Sequence, residues 1–449
     1  MKVKVFTTLA LLLATLGHSA LAKVSQQQAN KLGTELSNIG AQILANEDGT
    51  IPKYQGGLKG DINADPFTNI YAHETPLFTI TANNYLQYTD KLSNGQVALF
   101  KKYPDTYQMP IYPTHRTASF PKAVYEKAKK NVTTTELVSG GNGLSSFDET
   151  VPFAIPNNGL EVIWNHVSRY RGGSVMKNFA QIAVQENGDY TPVKIRGLLS
   201  PPQYLADGYD ANIDDNVLFY YVQQTKSPAR FTGDVLLVHE TIDQVSQPRM
   251  AWSYNAGQRR VRRAPQLAYD APGQAVDGLR TSDQLDMFNG APDRYDWNLV
   301  GKKEIYIPYN SYKLADKNAK YKDIVQAGHI NPNYSRYELH RVWQVEATLK
   351  SGARHIYKKR TFYVDEDSWQ VALADNYDGH GQLWRVSEGH ALQFVNANAP
   401  WYIASTYYDL NSSRYIVELN SEERNAFIFN NPIRHKNFTA SAIRRMGKR

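Results

Sequence analysis

From about residue 174 onward the sequence alternates polar and apolar residues, and short turn sequences interrupt the alternation at intervals. An alternation of period two places every second side chain on the same face of a strand. Two such runs flank residues 187–189 (Asn-Gly-Asp), and two more flank residues 255–257 (Asn-Ala-Gly). Both are turn sequences that favour hairpins. The second half of the chain is therefore predicted to form a long antiparallel sheet.

The first part of the chain has a different pattern, in which apolar residues recur at three- and four-residue steps. This spacing predicts one or two amphipathic helices within 25–46 and further helices within 79–101 and 121–130. Prolines concentrate at 103–116, and glycines and prolines together at 139–159, so both segments are predicted to be loops. We predict one large domain at 23–449: a helix- and loop-rich part at 23–173, then mainly antiparallel strands at 174–449 with an irregular insertion at 266–335.

Residues 1–22 have the pattern of a secretory signal peptide. Lys2 and Lys4 precede an apolar run at 5–16, and Ala-Leu-Ala at 20–22 is a small-x-small cleavage site. The 449 residues include no cysteine, which excludes disulfides, cysteine-ligated metals and a lipid anchor on an N-terminal cysteine. The sequence thus predicts a periplasmic protein that is not a lipoprotein.

Four arginines crowd the second strand of the hairpin at 255–257: Arg259, Arg260, Arg262 and Arg263. We favour a structural role in which they pair with the acid-rich segment that follows, over contact with an anionic head group or a partner. Nucleic acid is not expected as a partner, because the chain is predicted to be exported and its net charge is only +7. The acids of that segment are Asp270, Asp277, Asp283, Asp286, Asp293 and Asp296.

Three other polar residues are candidates for a ligand-binding or catalytic role. Arg341 shares a predicted strand face with Trp343, so it must either pair with a carboxylate or reach a cavity. His166 beside Trp164 is typical of a hydrogen-bonded core histidine, and His239 lacks the second histidine of a zinc-protease motif. No nucleophile elbow, P-loop or dinucleotide-binding motif is present. The sequence therefore predicts no catalytic residue, no metal and no cofactor.

Several long motifs resemble those of a large bacterial family of unassigned function. They are GTIPKYQGGL (49–58), GLEVIWNHVSRYRG (159–172), WSYNAGQRRVRRAP (252–265), RYELHRVWQVEA (336–347) and the pair FYVDEDSW and YDGHGQLWR within 362–385. The resemblance implies a fold similar to the LolA/LolB-like carriers that sort lipoproteins to the outer membrane. That fold class is mainly β with α: a half-open antiparallel β-barrel whose curled sheet and N-terminal helices enclose a hydrophobic cavity.

The leading functional hypothesis is a periplasmic carrier or chaperone that binds a lipid-like or amphipathic ligand in such a cavity. The resemblance implies an inner-membrane transporter or an outer-membrane protein as a partner. One alternative is a periplasmic hydrolase that uses His166 or His239, and another is a non-catalytic envelope scaffold that docks through its loops. The candidate cavity residues are Arg341, Trp343, Trp252, Tyr254, Trp164 and His166.

Overall fold

A computed structural model describes residues 24–264 and 269–448, so the predicted signal peptide lies outside the described residues. None of the described helices is long and apolar enough to cross a membrane. The α-helices are α1 (Gln26–Ala29), α2 (Asn94–Lys102), α3 (Lys122–Thr134), α4 (Gly159–Ser168), α5 (Ala211–Asp214), α6 (Tyr312–Ala315), α7 (Tyr321–Ile324) and α8 (Ala440–Gly447). The strands of the first half are β1 (Phe78–Ile80), β2 (Met109–Ile111), β3 (Glu136–Val138), β4 (Gly143–Ser145), β5 (Val175–Val184), β6 (Tyr190–Ser200), β7 (Val217–Ser227) and β8 (Val235–Thr241). The remaining strands are β9 (Met250–Asn255), β10 (Arg260–Arg263), β11 (Tyr295–Pro308), β12 (Tyr337–Leu349), β13 (Lys359–Asp365), β14 (Val371–Tyr377), β15 (Leu383–Phe394), β16 (Ala399–Asp409), β17 (Arg414–Leu419) and β18 (Phe427–Phe429).

One 16-stranded sheet dominates the described residues. Its strand order is β1-β2-β12-β13-β14-β15-β16-β17-β5-β6-β7-β8-β9-β10, with β11 also paired to β12 and β18 to β5. The neighbouring pairs are antiparallel except β2 and β12, which are parallel. No pairing within the described ranges joins β1 to β10, so the sheet remains open. The predicted open antiparallel sheet is therefore confirmed.

The hairpins that the turn sequences predict are present as β5–β6 and β9–β10. In the first of them Val184 pairs with Tyr190, and Gly188 has φ +89°, a conformation that favours glycine because it has no Cβ. The residue pattern after the turn Ser351-Gly352 predicts a strand over 353–364, but β13 begins only at Lys359. Alternation therefore located these hairpins correctly and gave some strand ends only approximately.

Two predictions about the remaining elements are wrong. The segment 25–46 contains only the four-residue α1, because Gly33 and Gly40 adopt left-handed φ values that interrupt a helix. A Cβ at Gly40 would overlap the carbonyl group of Ala154, so this close approach requires glycine. The insertion predicted to be irregular at 266–335 contains β11, whose pairing with β12 shifts at Gly301 and hides the alternation.

Helix predictions fared better after residue 79. The helix predicted at 121–130 is confirmed as α3, and the end of the segment 79–101 is confirmed as α2. Helix α4 was missed. It lies against the sheet in the largest hydrophobic cluster, which joins Val162 of α4 to Phe219 of β7, Phe362 of β13 and Val417 of β17. The cluster thus joins α4 to strands from distant parts of the sequence, and α4 itself lies against β11 and β12.

The two faces of the sheet are covered by different segments. We call the face that packs against α4 and residues 276–291 the inner face, and the opposite one the outer face. Residues of β5 that alternate to the inner face include Lys177 and Phe179, and α8 packs on the outer face of β7–β10. Ile443 of α8 is fully buried there beside Tyr254.

Glu388 of β15 is a buried carboxyl whose ionisation should oppose folding. It is fully buried, and the hydroxyl of Tyr337 donates to both of its oxygens at 3.2 and 3.1 Å. Burial raises the pKa of Glu388 to about 7. Between the unfolded value of about 4.3 and 7 the folded state holds a proton that the unfolded state releases, so stability is lost as the pH rises through this interval.

Glu388→Gln is therefore expected to gain stability relative to the wild type by about 2–3 kcal/mol between about pH 4 and about pH 8. Urea unfolding at the two pH values measures this difference. The exposed Glu126→Gln serves as the control and should show little pH dependence relative to the wild type. A pH-independent difference between Glu388→Gln and the wild type would show that the carboxyl is already ionised in the folded protein.

Candidate functional site

Helix α4 begins and ends with polar contacts that fix its position. Asn158 is its N-cap and accepts a hydrogen bond from the Glu161 N–H at 3.0 Å, while the Glu161 carboxylate accepts one from the Asn157 N–H at 2.6 Å. All of its residues except Leu160 are buried, including Trp164 and Asn165. The helix is therefore a core element, and the chain that leaves it is held in place.

The segment directly after α4 contains two arginines that share one carboxylate. Arg169 donates to both oxygens of Asp286 at 2.8 Å, and Arg171 donates to Oδ2 from Nε at 3.0 Å and from Nη2 at 2.8 Å. Burial alone would raise the pKa of Asp286, but the two guanidinium groups hold it well below its usual range. We call Arg169, Arg171 and Asp286 the buried triad.

His166 ties three segments together. Its Nδ1 accepts a hydrogen bond from the Val371 N–H at 3.0 Å, and Nε2 lies 3.0 Å from the Asp286 carbonyl oxygen and 3.1 Å from that of Phe288. This pattern fits the neutral ring with its proton on Nε2. Burial lowers the pKa of His166 well below its usual value, with Arg169 contributing in the same direction. The ring joins α4, β14 and the covering segment 276–291.

Two adjacent cavities lie between the triad and the inner face of the sheet. The larger has a volume of about 240 Å³ and the smaller about 70 Å³, and Arg171, Leu199 and Phe219 line both. We call the two together the inner cleft. Its apolar and aromatic walls are Phe147, Phe179, Leu199, Val217, Leu218, Phe219, Tyr221, Ile242, Trp401 and Tyr402.

Lys177 lines the smaller cavity and is the notable group of the cleft. Its Nζ lies 4.8 Å from the ring centroid of Phe179 and 5.3 Å from that of Phe427. It makes no hydrogen bond or ion pair with any described residue. Burial lowers the pKa of Lys177, while the more distant Glu418 and Asp286 oppose that effect.

The acids around the smaller cavity are already bonded to other groups. Asp286 belongs to the buried triad, and the Glu418 carboxylate accepts from Gln181 at 3.0 Å and lies 3.3 Å from Nη2 of Arg280. Lys177 is therefore left without a counter-charge in an aromatic pocket, an arrangement that favours an anionic ligand group.

Two polar groups at the larger cavity also lack a partner among the described residues. These are Oε1 of Glu149 and the hydroxyl of Thr150, and both residues are buried. Both also have positive φ values, 21° and 94°, which non-glycine residues rarely adopt. The larger cavity thus offers one hydrogen-bond acceptor and one hydroxyl to a bound molecule.

The six candidate cavity residues from the sequence lie elsewhere. Arg341 approaches the carboxylates of Glu304 at 3.4 Å and Glu366 at 3.6 Å, and it donates to the Leu44 carbonyl oxygen at 3.0 Å. Trp164 donates to the Gly141 carbonyl oxygen at 2.9 Å. None of the six lines either cavity of the inner cleft, and a ligand role for them stays a prediction: Arg341, Trp343, Trp252, Tyr254, Trp164 and His166.

The predicted pairing of the strand arginines with the following aspartates is wrong. Arg259, Arg260, Arg262 and Arg263 are exposed and form no ion pair with a described residue. The acids bond instead to arginines that are distant in sequence. Asp270 approaches Arg294, Asp277 pairs with Arg414, Asp283 with Arg360 and Asp286 with Arg169 and Arg171.

The hydrolase hypothesis finds no catalytic geometry at its two histidines. The ring nitrogens of His166 contact main-chain groups and the neighbouring Arg169, and Nε2 of His239 lies 2.8 Å from the Phe438 carbonyl oxygen. Neither ring is bonded to a serine or a carboxylate among the described contacts.

A group of potential metal ligands forms where the family-like motifs meet. The ligand atoms of His340, Asp365 and Asp367 lie within 4.8 Å of one another, and all three residues are buried. Arg116 donates to both oxygens of Asp367, at 2.6 and 2.8 Å, so this carboxylate is already bonded. Burial, with the charge of Asp367, raises the pKa of Asp365 to about 7. The group is best described as part of a buried charge network.

The residue that the sequence analysis missed is Lys177. Its signal was available, because a lysine between Val175 and Phe179 in an alternating strand shares the face of two apolar residues. Arg341 shows the same pattern, because it shares a strand face with apolar residues. The absence of a counter-charge for Lys177 could not be predicted from the sequence, because it depends on tertiary packing.

Comparisons with known proteins found a sequence relative and structural neighbours of this chain. An uncharacterized protein of Pseudomonas aeruginosa is 56% identical over 444 residues, covering 98% of this chain and 97% of the relative. A DUF1329 family protein from Desulfovibrio piger has a TM-score of 0.41 at 13% identity, covering 60% of this chain and 92% of its own. A LolA superfamily protein from Nitrosomonas europaea has a TM-score of 0.39 at 12% identity, covering 64% and 99%.

The sequence profile of DUF1329, a family described as proteins of unknown function, matches residues 79–444. That range spans most of the chain and contains four of the five motif regions quoted above. The resemblance to a bacterial family of unassigned function is thereby confirmed, and the chain belongs to the DUF1329 family.

Proposed function

We propose that this protein is a periplasmic carrier that binds an anionic amphipathic molecule, such as a fatty acid or a phospholipid, in the inner cleft. The observation that carries the proposal is the unpaired ammonium group of Lys177 among aromatic and aliphatic walls. A carboxylate or phosphate would supply the missing counter-charge, and the apolar part of the ligand would cover the adjoining walls.

The energetics of binding favour a ligand that has both an anionic head group and an apolar chain. Apolar surface contributes about 25 cal/mol for each Å² removed from water, but it does not orient a chain. A charge-assisted hydrogen bond in a water-poor pocket fixes the orientation. The larger cavity, about 240 Å³, is close to the lower end of the range of about 300–1,000 Å³ for small-molecule sites. In this proposal the head group lies beside Lys177 in the smaller cavity, and the larger cavity accommodates the adjoining part of the chain.

The test separates the charge of the ligand from its apolar chain. Purified protein is titrated with oleate and with oleyl alcohol, each in competition with dansyl-undecanoate fluorescence. We expect Lys177→Met to weaken oleate binding about 10–100-fold, the effect of one hydrogen bond to a charged group, and to leave oleyl alcohol unchanged. Oleate binding should also decline as the pH rises through the lowered pKa of Lys177.

The control is Lys303→Met, which removes an exposed lysine from β11. Leu199→Trp places a larger side chain where the two cavities meet, and it is expected to weaken both ligands. Equal losses of oleate and oleyl alcohol in Lys177→Met would contradict the head-group role. Unchanged binding of both ligands in Leu199→Trp would place any lipid site outside the cleft.

A further inference from the structure

A groove on the outer face is lined by cations without an acid. It has a volume of about 310 Å³ and lies between strands β6–β7 and the C-terminal helix α8. Its charged residues are Arg196, Lys226, Lys436 and Arg445, and all four are exposed. Like charges placed together repel, so such a groove attracts anions from solution.

The polar partners of these cations are neutral. Nε of Arg196 donates to the Asn178 amide oxygen at 3.1 Å, and Nζ of Lys226 donates to the Gln224 amide oxygen at 3.0 Å. Desolvation, with the charge of Arg196, lowers the pKa of Lys226. No carboxylate within the described part of the chain forms an ion pair with the four groove cations.

Arg263 of β10 extends the positive surface. Val261 and its pairing partner Tyr254 pack with α8 on the outer face, and Arg263 pairs with Trp252 on that same side. Arg260 and Arg262 alternate to the opposite side of the edge strand. Arg259, Arg260, Arg262 and Arg263 are exposed and unpaired, apart from Arg263, whose guanidinium lies 5.4 Å from the ring centroid of Trp252. Helix α8 connects the two regions, since it packs against β7, β8, β9 and β10. It adds the exposed Arg444, and the exposed Lys448 follows its last residue.

We infer that this basic face, formed by the groove, the exposed side of α8 and Arg263 of β10, docks on the anionic surface of a phospholipid bilayer. Its cations come from several elements and cover an area much larger than one small anion. A bilayer presents many phosphate groups at once, so that the groove and the strand are occupied together. An isolated phosphate would use only the groove.

The basic face and the inner cleft are on opposite sides of the same strands. Arg196 of β6 and Lys226 of β7 are on the outer face, whereas Leu199 and Tyr221 of those strands line the cleft. Docking therefore leaves the cleft uncovered, and the inference does not depend on the proposed cargo.

Flotation with vesicles tests the inference. The full chain is mixed with vesicles of phosphatidylglycerol and phosphatidylcholine in equal parts, and with vesicles of phosphatidylcholine alone. We expect binding only to the anionic vesicles, and its loss at about 1 M salt, where the Debye length is about 3 Å. Each cation near such a surface contributes about fivefold in partitioning, so R196Q/K226Q/R445Q and R263Q/R444Q/K448Q should each bind about 100-fold more weakly.

The matched control is K53Q/K101Q/K303Q, which removes three exposed lysines from other parts of the surface and should bind as the wild type does. All of the substituted residues are exposed, so thermal unfolding should be unchanged and oleate binding retained. Equal binding to both vesicle types would overturn the inference. So would groove-dependent binding of inorganic phosphate without vesicle binding, which indicates a small-anion site, or binding of polyglutamate alone, which indicates an acidic protein partner.

Discussion

Asp286→Ala is expected to lower the free energy of unfolding by about 3–5 kcal/mol. The substitution removes the carboxylate that Arg169 and Arg171 share, and it leaves two buried guanidinium groups without their counter-charge. Arg169 is also enclosed by the Tyr402 ring, at 5.3 Å from its centroid, so it cannot easily turn to water. Urea unfolding at neutral pH measures the loss.

Two further variants separate charge from packing at the buried triad. Asp286→Asn retains the size and one acceptor but loses the charge, so it should fall between the wild type and Asp286→Ala. Replacing the triad together, as R169M/R171M/D286L, removes every unpaired charge and should recover much of the lost stability. A loss below about 1 kcal/mol in Asp286→Ala would mean that the arginines find other partners or water.

The pH dependence of the triad has a definite sign. The pKa of Asp286 is depressed in the folded state, so the stability that this group contributes is fully present above its unfolded pKa of about 3.9. It is lost as the pH falls through the folded value. The difference between the wild type and Asp286→Asn should therefore be constant near neutrality and shrink only in strong acid.

Arg116→Ala is the second substitution for which we expect a loss of about 3–5 kcal/mol. The side chain of Arg116 is 3% exposed, and its guanidinium donates to Asp367 at 2.6 and 2.8 Å and to Glu366 at 3.2 Å. Asp365 lies beside these acids. Without the arginine, Asp367 loses its closest cation. Glu366 keeps Lys302 at 2.5 Å and the more distant Arg341 at 3.6 Å.

The deficit of Arg116→Ala should also shrink as the pH falls, but over a higher pH range than the deficit of the triad variants. Carboxyl groups that lose their cation have raised pKa values in the folded state, and the cost of ionising them grows as the pH rises through those values. The variant should therefore approach the wild type as the pH falls from about 8 to about 5. Arg116→Lys keeps the charge but not the forked geometry, and it should recover part of the loss. A deficit that is the same at all pH values would indicate lost packing instead.

Local patterns in the sequence predicted the hairpins well because turn residues and alternation act within about ten residues. The strand at 190–200 and the turn at Gly188 were found in this way. Strand β11 was not predicted, because a bulge at Gly301 breaks the alternation of its residues. Helix α4, which contains Trp164 and His166, was not predicted either.

Charge pairing could not be predicted in the same way. Proximity in sequence favoured the strand arginines as partners for the aspartates that follow them. The fold instead brings Arg360 to Asp283 and Arg414 to Asp277, across 77 and 137 positions. The lack of a counter-charge for Lys177 could not be predicted from the sequence either. It arises because the nearby acids already form hydrogen bonds with other residues.

Strand β10 ends the sheet and has consequences for how copies of the protein meet. An open edge exposes unpaired N–H and C=O groups, which can act as a template for a strand from another molecule. A second copy aligned along β10 would bring the run Arg-Val-Arg-Arg at 260–263 against its own like. Facing cations destabilise such pairs. We therefore expect the arginines of β10, which form no ion pair within the described fold, to oppose intermolecular β-sheet growth and amyloid-like assembly from this edge through charge repulsion.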